Sequence, residues 1–145
     1  MHSRVGYWGP PLLWAAVIFL ASTDAFSAAH TGSVLEEIVT AIVGHRLAAE
    51  QFATLHFLVR KSAHFVEYGL LGALLFRAMR EGRTGWNWRW AAGAIVIAAA
   101  VAASDEWHQT FVPSRTPSPI DVGIDTVGAA VAQLVIAVRQ RMLFE

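Results

Sequence analysis

The chain has 145 residues, of which 55% are hydrophobic and only 15% are charged, and its formal net charge is zero. A soluble domain usually carries about 25% charged residues, so this sequence lacks the polar surface of a water-soluble globule and its outside is expected to face lipid. The neutral charge and the lack of a basic stripe argue against nucleic-acid binding, and the absence of cysteine excludes disulfides, thiolate metal ligands and thiol nucleophiles.

Four apolar segments approach the roughly 20 residues that a transmembrane helix needs. They cover about residues 8–23, 62–79, 90–111 and 120–138. Small residues that would let such helices approach closely are Gly69, Gly72, Gly128, Ala129 and Ala130. The sequence therefore predicts an all-α fold, an integral membrane four-helix bundle that forms a single domain over residues 1–145.

The first segment has two interpretations. Arg4, a short apolar run and the small residues of ASTDAFSA (21–28) also resemble a secretory signal with a cleavage point. We expect the segment to be retained as the first span. Cleavage would leave the other three helices with the same orientation.

An additional amphipathic helix is predicted over about residues 33–45, before the second span. Ser33 followed by Glu36 has the spacing of a capping box, and Val34, Ile38 and Ile42 recur at helical spacing. This helix is expected to lie in the outer interface with its apolar side towards the lipid. Packing against the bundle or against a partner is the alternative.

The distribution of basic residues predicts the orientation. The basic residues that share one side of a four-span arrangement are Arg4, Arg77, Arg80, Arg83, Arg89, Arg139 and Arg141. Such residues are enriched in cytoplasmic loops, so both termini are expected in the cytoplasm, and residues 24–61 and 105–119 outside. Arg60 and Lys61 are the exception.

Polar residues gather at the three helix ends that this orientation places outside. They are Lys61, His64, Glu67 and Tyr68 at the start of the second span, Asp105, Glu106 and Gln109 at the end of the third, Arg115 in the following loop, and Asp121 and Asp125 at the start of the fourth. An ionisable group at the bilayer centre costs on the order of 3 kcal/mol, so the deeper ones need partners. We predict that these side chains converge.

This group of residues offers two kinds of role. The candidate catalytic residues are His64, Glu67, Asp105 and Glu106, with proton transfer assigned to Glu106 and His64. The candidate substrate-binding residues are Lys61, Tyr68, Gln109, Arg115, Asp121 and Asp125, with Arg115 suited to an anion. Histidine and carboxylate side chains also fit a divalent metal, but no spacing identifies a metal or another cofactor.

Several of these residues also have plain structural interpretations. Asp121 could stabilise the N-terminus of the fourth span, where Ser118 looks like the N-cap and Pro119 the first helical residue. Asp125 lies too deep for capping and is expected to pair with Arg115 or with a histidine. Arg115 could be a surface loop charge.

Two motifs resemble the VanZ-like family of small bacterial membrane proteins. They are RKSAHFVEYGLLG, beginning at Arg60, and DEWHQTFVPSRTPSPIDVGIDTVG, beginning at Asp105. The matched residues are Arg60, Lys61, His64, Phe65, Glu67, Tyr68, Gly72, Asp105, Glu106, Gln109, Phe111, Pro113, Arg115, Asp121, Asp125 and Gly128. The chain departs from the family pattern at Ser114, where glycine is common, and in the proline-rich TPSP that follows Arg115.

The resemblance implies a multispanning protein of the bacterial cytoplasmic membrane, in a family whose founding member is associated with resistance to the lipoglycopeptide teicoplanin. It does not imply a settled reaction. The leading hypothesis is an outer pocket that binds or modifies a cell-envelope amphiphile: a lipid, a lipid-linked precursor or a lipophilic antibiotic. The alternative is a non-catalytic binding or scaffold protein whose polar cluster is structural. An ion-coupled transporter is disfavoured, because only Gln133 follows Asp125 inwards.

Overall fold

The computed structural model describes residues 4–23, 28–113 and 115–144, which form five α-helices and no strand. The helices are α1 (Arg4–Ala21), α2 (Ala28–Val43), α3 (Ala49–Arg80), α4 (Trp88–Gln109) and α5 (Pro119–Phe144). The all-helical prediction is therefore confirmed for this part of the chain.

The central helix, α3, is longer than the span predicted at about residues 62–79. It has 32 residues and, at about 1.5 Å per residue, a length of about 48 Å. Residues 49–61 contain no glycine or proline that would stop a helix. Their polar side chains make them unsuitable for an apolar membrane span, which is why the predicted span did not include them. The helix ends at Arg80, beyond which Glu81 adopts the left-handed conformation with φ of 48°.

The amphipathic helix predicted at about residues 33–45 is α2, but it begins earlier and ends at Val43. Ser33 lies inside α2, so the prediction that it caps the helix is wrong. Local spacing cannot distinguish a capping serine from an exposed serine within a helix. The apolar residues Val34, Ile38 and Ile42 are exposed, at 55%, 51% and 79%.

The starts of α4 and α5 follow from local chemistry. The side chain of Asn87 accepts a hydrogen bond of 2.8 Å from the Arg89 N–H and so caps α4. The helix begins at Trp88, two residues before the predicted start at Trp90. Helix α5 begins at Pro119, as predicted, and proline suits this position because the first helical N–H has no helical partner in any case.

Helix α3 packs against α1, α4 and α5 and makes a smaller contact with α2. The approach of α3 to α5 is close because glycines face each other. A Cβ added to Gly69 would lie 3.4 Å from the Gly128 carbonyl oxygen, and one added to Gly72 would lie 3.0 Å from the Cα of Ala129. The order of these contacts shows that the two helices run parallel. The predicted role of small residues in helix approach is confirmed at these positions.

Helix α4 contributes a stripe of small residues to the packing with α3 and α5. The alanines of this stripe, all at most 5% exposed, are Ala91, Ala94, Ala98 and Ala102. The same stripe continues at helical spacing into Asp105 and Gln109, which are also buried. The stripe that packs α4 into the fold therefore carries polar residues into its last turns.

The outer surface of the helices is rich in large apolar side chains. Examples with more than half of their surface exposed are Leu12, Leu13, Leu20, Val66, Val96, Leu134 and Val135. Two helices, α4 and α5, are long and apolar enough to cross a membrane. That these two helices, and α1 and α3 with them, do cross a membrane stays a prediction.

Candidate functional site

The predicted site residues lie at one end of the helix packing, where α1 and α4 end and α5 begins beside the middle of α3. Contacts between residues far apart in the sequence hold these segments together. Lys61 of α3 contacts Asp121 of α5, and Arg115 of the α4–α5 loop contacts Ala21 of α1. The structure thus brings together segments separated by tens of residues, as the sequence predicted.

Two polar pairs join α3 to α5. The ammonium group of Lys61 donates to the carboxylate of Asp121, which is 1% exposed. One turn further along both helices, Nδ1 of His64 lies 3.4 Å from Oδ1 of Asp125. The second pair confirms that Asp125 is matched with a histidine, and the first shows that Asp121 binds a cation besides lying in the first turn of α5.

A second group links the end of α4 to the start of α5. The amide of Gln109 donates to Oδ2 of Asp105 at 2.9 Å and to Oε1 of Glu106 at 3.4 Å. The other oxygen of Glu106 accepts a hydrogen bond of 2.6 Å from the backbone N–H of Ser118. Glu106 therefore satisfies a donor just before α5, as an N-capping side chain would.

Arg115 connects the α4–α5 loop to the end of α1. Its guanidinium donates to the carbonyl oxygen of Ala21 and, at 3.2 Å, to that of Thr23. The last carbonyls of a helix lack helical donors, so a guanidinium is well placed there. The interpretation of Arg115 as a surface loop charge is wrong, because the side chain is half-buried in this contact.

A cavity of about 240 Å³ opens beside these contacts. Its polar lining includes Arg60, His64, Glu67, Asp105 and Arg115. Its apolar lining includes Ile18 of α1, Leu35 of α2 and Val59 of α3. The cavity therefore has both a charged lining and an apolar lining, and the amphipathic helix α2 forms part of its wall.

The structure separates the predicted site residues into two sets. His64, Glu67, Asp105 and Arg115 line the cavity. The others lie among the helices: Lys61, Tyr68, Glu106, Gln109, Asp121 and Asp125 are not part of its lining. Tyr68 is fully buried, and its hydroxyl makes no hydrogen bond to any residue that the structure describes.

Arg60 is a cavity residue that the sequence interpretation did not assign to the site. It appeared there only as the first residue of the RKSAHFVEYGLLG motif and as an exception to the charge rule. Its place on the side predicted to be outside could have pointed to the site, because an arginine there departs from the distribution of the other basic residues and needs a local reason. In the structure Arg60 stands one turn before His64 and two turns before Glu67, about 10 Å along the helix.

The histidines and carboxylates do not form a metal centre within residues 4–23, 28–113 and 115–144. No group of three or more such side chains is arranged there to hold a metal ion. His64 and Asp125 are matched with each other, and both oxygens of Glu106 face donors of the protein itself.

Comparison with known proteins identifies the family. The chain matches the family model described as VanZ/LLP1 over residues 8–140, which is nearly its whole length and includes all ten predicted site residues. No curated protein and no solved structure shows significant similarity to it. The chain therefore belongs to the VanZ/LLP1 family, as its two motifs predicted.

Proposed function

We propose that this VanZ/LLP1 protein crosses a bacterial cytoplasmic membrane four times, with α2 in the outer interface and the cavity facing outwards. The alternation of helix directions supports four crossings: α3 runs parallel to α5, and α1 and α4 end at the same side. The exposed apolar residues supply a lipid-facing surface. Arg77 lies in the last turn of α3, at the end away from the cavity, and Arg83 and Arg89 follow that helix, which supports a cytoplasmic α3–α4 loop.

We propose that the cavity binds the head group of a cell-envelope amphiphile. The observation that carries this proposal is the cavity itself, which combines ionisable residues such as Asp105 with apolar residues from α1 and α2. Ligand sites usually pair an apolar wall with a few placed polar groups. An amphiphile in the outer leaflet could place its polar end in such a cavity while its chains stay in lipid.

Membership of the VanZ/LLP1 family fits a teicoplanin-resistance type of role. The cavity volume of about 240 Å³ suits a small head group. A whole lipoglycopeptide is much larger than this. We therefore propose that resistance would act through a membrane amphiphile whose small head group occupies the cavity.

A cavity-filling substitution tests the binding function. Ala63 lines the cavity, and Ala63→Trp would occupy much of it without removing a charged group. Ala53, an exposed alanine of α3 outside the lining, gives the matched control Ala53→Trp. We expect protein purified in mild detergent to lose its bound amphiphile, measured by mass spectrometry, only with Ala63→Trp. Equal amounts in both variants would contradict binding in this cavity and favour a purely structural role for the polar cluster.

The pairing of His64 with Asp125 favours a second, catalytic version of this function. The carboxylate of Asp125 lies 3.4 Å from Nδ1 of His64, which favours a proton on that nitrogen and would leave Nε2 to act as a general base. We place proton transfer on His64 rather than on Glu106, because Glu106 lies outside the cavity lining and accepts the Ser118 N–H.

The catalytic version is tested by His64→Gln, with His45→Gln as a control at an exposed histidine of the α2–α3 connection. The substrate probe is the amphiphile that co-purifies with the wild-type protein, added back in micelles. Loss of its chemical conversion, with binding retained and only in His64→Gln, would support catalysis. Unchanged conversion in His64→Gln would exclude His64 as the base.

A further inference from the structure

Two groups of opposite charge in the cavity have unused hydrogen-bonding capacity. One is the carboxylate of Asp105 and the other is the guanidinium of Arg60. Buried polar groups are nearly always hydrogen-bonded, and an unpaired one lowers stability. Such groups facing a cavity therefore indicate what the cavity binds.

Asp105 is 3% exposed and lines the cavity. Its Oδ2 accepts a hydrogen bond from Gln109, but its Oδ1 accepts none from the residues that the structure describes. Glu67 brings a second carboxylate to the same lining, and its side chain makes no hydrogen bond to the residues that the structure describes. This part of the cavity therefore suits a group that donates several hydrogen bonds and carries positive charge.

Arg60 differs from the other cations at this end of the molecule. Lys61 is paired with Asp121, and Arg115 donates to carbonyls at the end of α1. The buried Nε of Arg60, by contrast, donates to no residue in the described part of the chain. A guanidinium matches the geometry of a phosphate or carboxylate. This part of the cavity therefore suits an anion.

We propose that the ligand is zwitterionic: an amphiphile whose head group joins a phosphate ester, bound by Arg60, to a primary ammonium group, bound by Asp105 and Glu67. The proposal rests on the proposed head-group binding and deepens it. A cavity of about 240 Å³ has room for a small head group such as phosphoethanolamine. A quaternary ammonium group fits less well, because it has no N–H to give to Oδ1 of Asp105.

Head-group selectivity tests this proposal. Wild-type protein in maltoside micelles is titrated calorimetrically with four probes: dihexanoyl phosphatidylethanolamine, phosphatidylglycerol and phosphatidylcholine, and soluble O-phosphoethanolamine. We expect the ethanolamine lipid to bind at least tenfold more tightly than the other two lipids. Comparable binding of O-phosphoethanolamine would identify a soluble phospho-amine as the ligand, whereas much weaker binding would identify the lipid.

Substitutions assign the two contacts. Asp105→Asn keeps the shape of the side chain and should abolish the preference for the ethanolamine lipid over the glycerol lipid. Arg60→Gln should weaken every phosphate-bearing probe, while Arg77→Gln, at an exposed arginine of the same helix outside the lining, should change none. Thermal unfolding of each variant in the same micelles separates lost contacts from lost folding.

The outcomes distinguish this proposal from the one on which it rests. Equal binding of all three lipids by the wild-type protein would overturn the zwitterionic ligand but leave amphiphile binding in place. Absence of binding to every lipid, together with equal amphiphile in Ala63→Trp and Ala53→Trp, would overturn both. Because wild-type selectivity alone decides the first question, a variant that failed to fold would not prevent the test.

Discussion

Replacing Gly128 by alanine should separate the two helices that carry most of the site. A methyl group at this position would overlap the backbone carbonyl of Phe65 in α3. That carbonyl belongs to the hydrogen-bonded backbone of a helix and cannot rotate away as a side chain could. Helices α3 and α5 would have to move apart, and this would displace the backbone next to His64, the neighbour of Phe65.

The expected loss follows from two opposing effects. Overpacking usually costs about 1–3 kcal/mol, and the upper end applies because the obstacle is backbone. The exchange of glycine for alanine within a helix contributes about 0.5–1 kcal/mol in the opposite direction. The net expectation for Gly128→Ala is a loss of about 2 kcal/mol in the free energy of unfolding.

Gly123 provides the matched control on the same helix. A methyl group there would meet no atom within 4 Å, so Gly123→Ala should gain about 0.5–1 kcal/mol. Both variants would be unfolded in mixed micelles with increasing dodecyl sulfate and followed by tryptophan fluorescence. Equal stability of the two variants would refute the close approach of α3 to α5.

Three further changes probe the contacts and the orientation of the site. Lys61→Met should lower the free energy of unfolding by about 3–5 kcal/mol in the same micelle assay, because it leaves the 1%-exposed Asp121 without its cation; adding Asp121→Leu should recover most of the loss, and no recovery would contradict the pair. Glu106→Ala should cost about 1 kcal/mol through the lost contact before α5, whereas Glu106→Gln should keep full amphiphile binding, and a binding defect in folded Glu106→Gln would argue for a place in the cavity. Because the chain has no cysteine, Thr116→Cys and Thr84→Cys each create a single thiol; an impermeant maleimide should label the first in intact spheroplasts and the second only after permeabilisation, and the reverse pattern would contradict the outward orientation.

The sequence predicted helix boundaries best where an apolar segment begins at a residue that itself favours a helix start. Pro119 began α5 as predicted because proline and its preceding turn are local signals. The helical start at residue 49 was missed, since Gln51 and His56 make that segment too polar for a span but do not prevent a helix. Hydropathy reports whether a segment suits lipid, whereas helix formation depends on backbone propensity and packing.

The convergence of the site was predictable, but the partners within it were not. Helical spacing grouped Lys61 with His64, and both do face α5. The partner of Asp121 depends on the axial offset between two parallel helices, which is set by glycines and alanine at their contact. Spacing along one helix carries no information on that offset. For the same reason the sequence could not predict which site residues line the cavity and which are buried among the helices. Arg60 and Lys61 are neighbours in the sequence, yet Arg60 lines the cavity and Lys61 pairs with Asp121.

The fully buried polar side chains of the described residues cluster at the cavity end, with Gln133 as the exception deeper in the fold. The amide of Gln133 donates to the Gly72 carbonyl at 2.9 Å and so ties α5 to α3. A hydrated ion that moved from the cavity towards Gln133 would meet buried alanines and leucines and no series of polar side chains. A polar ligand is therefore expected to leave the cavity at the end where it entered, without passing through the helix packing.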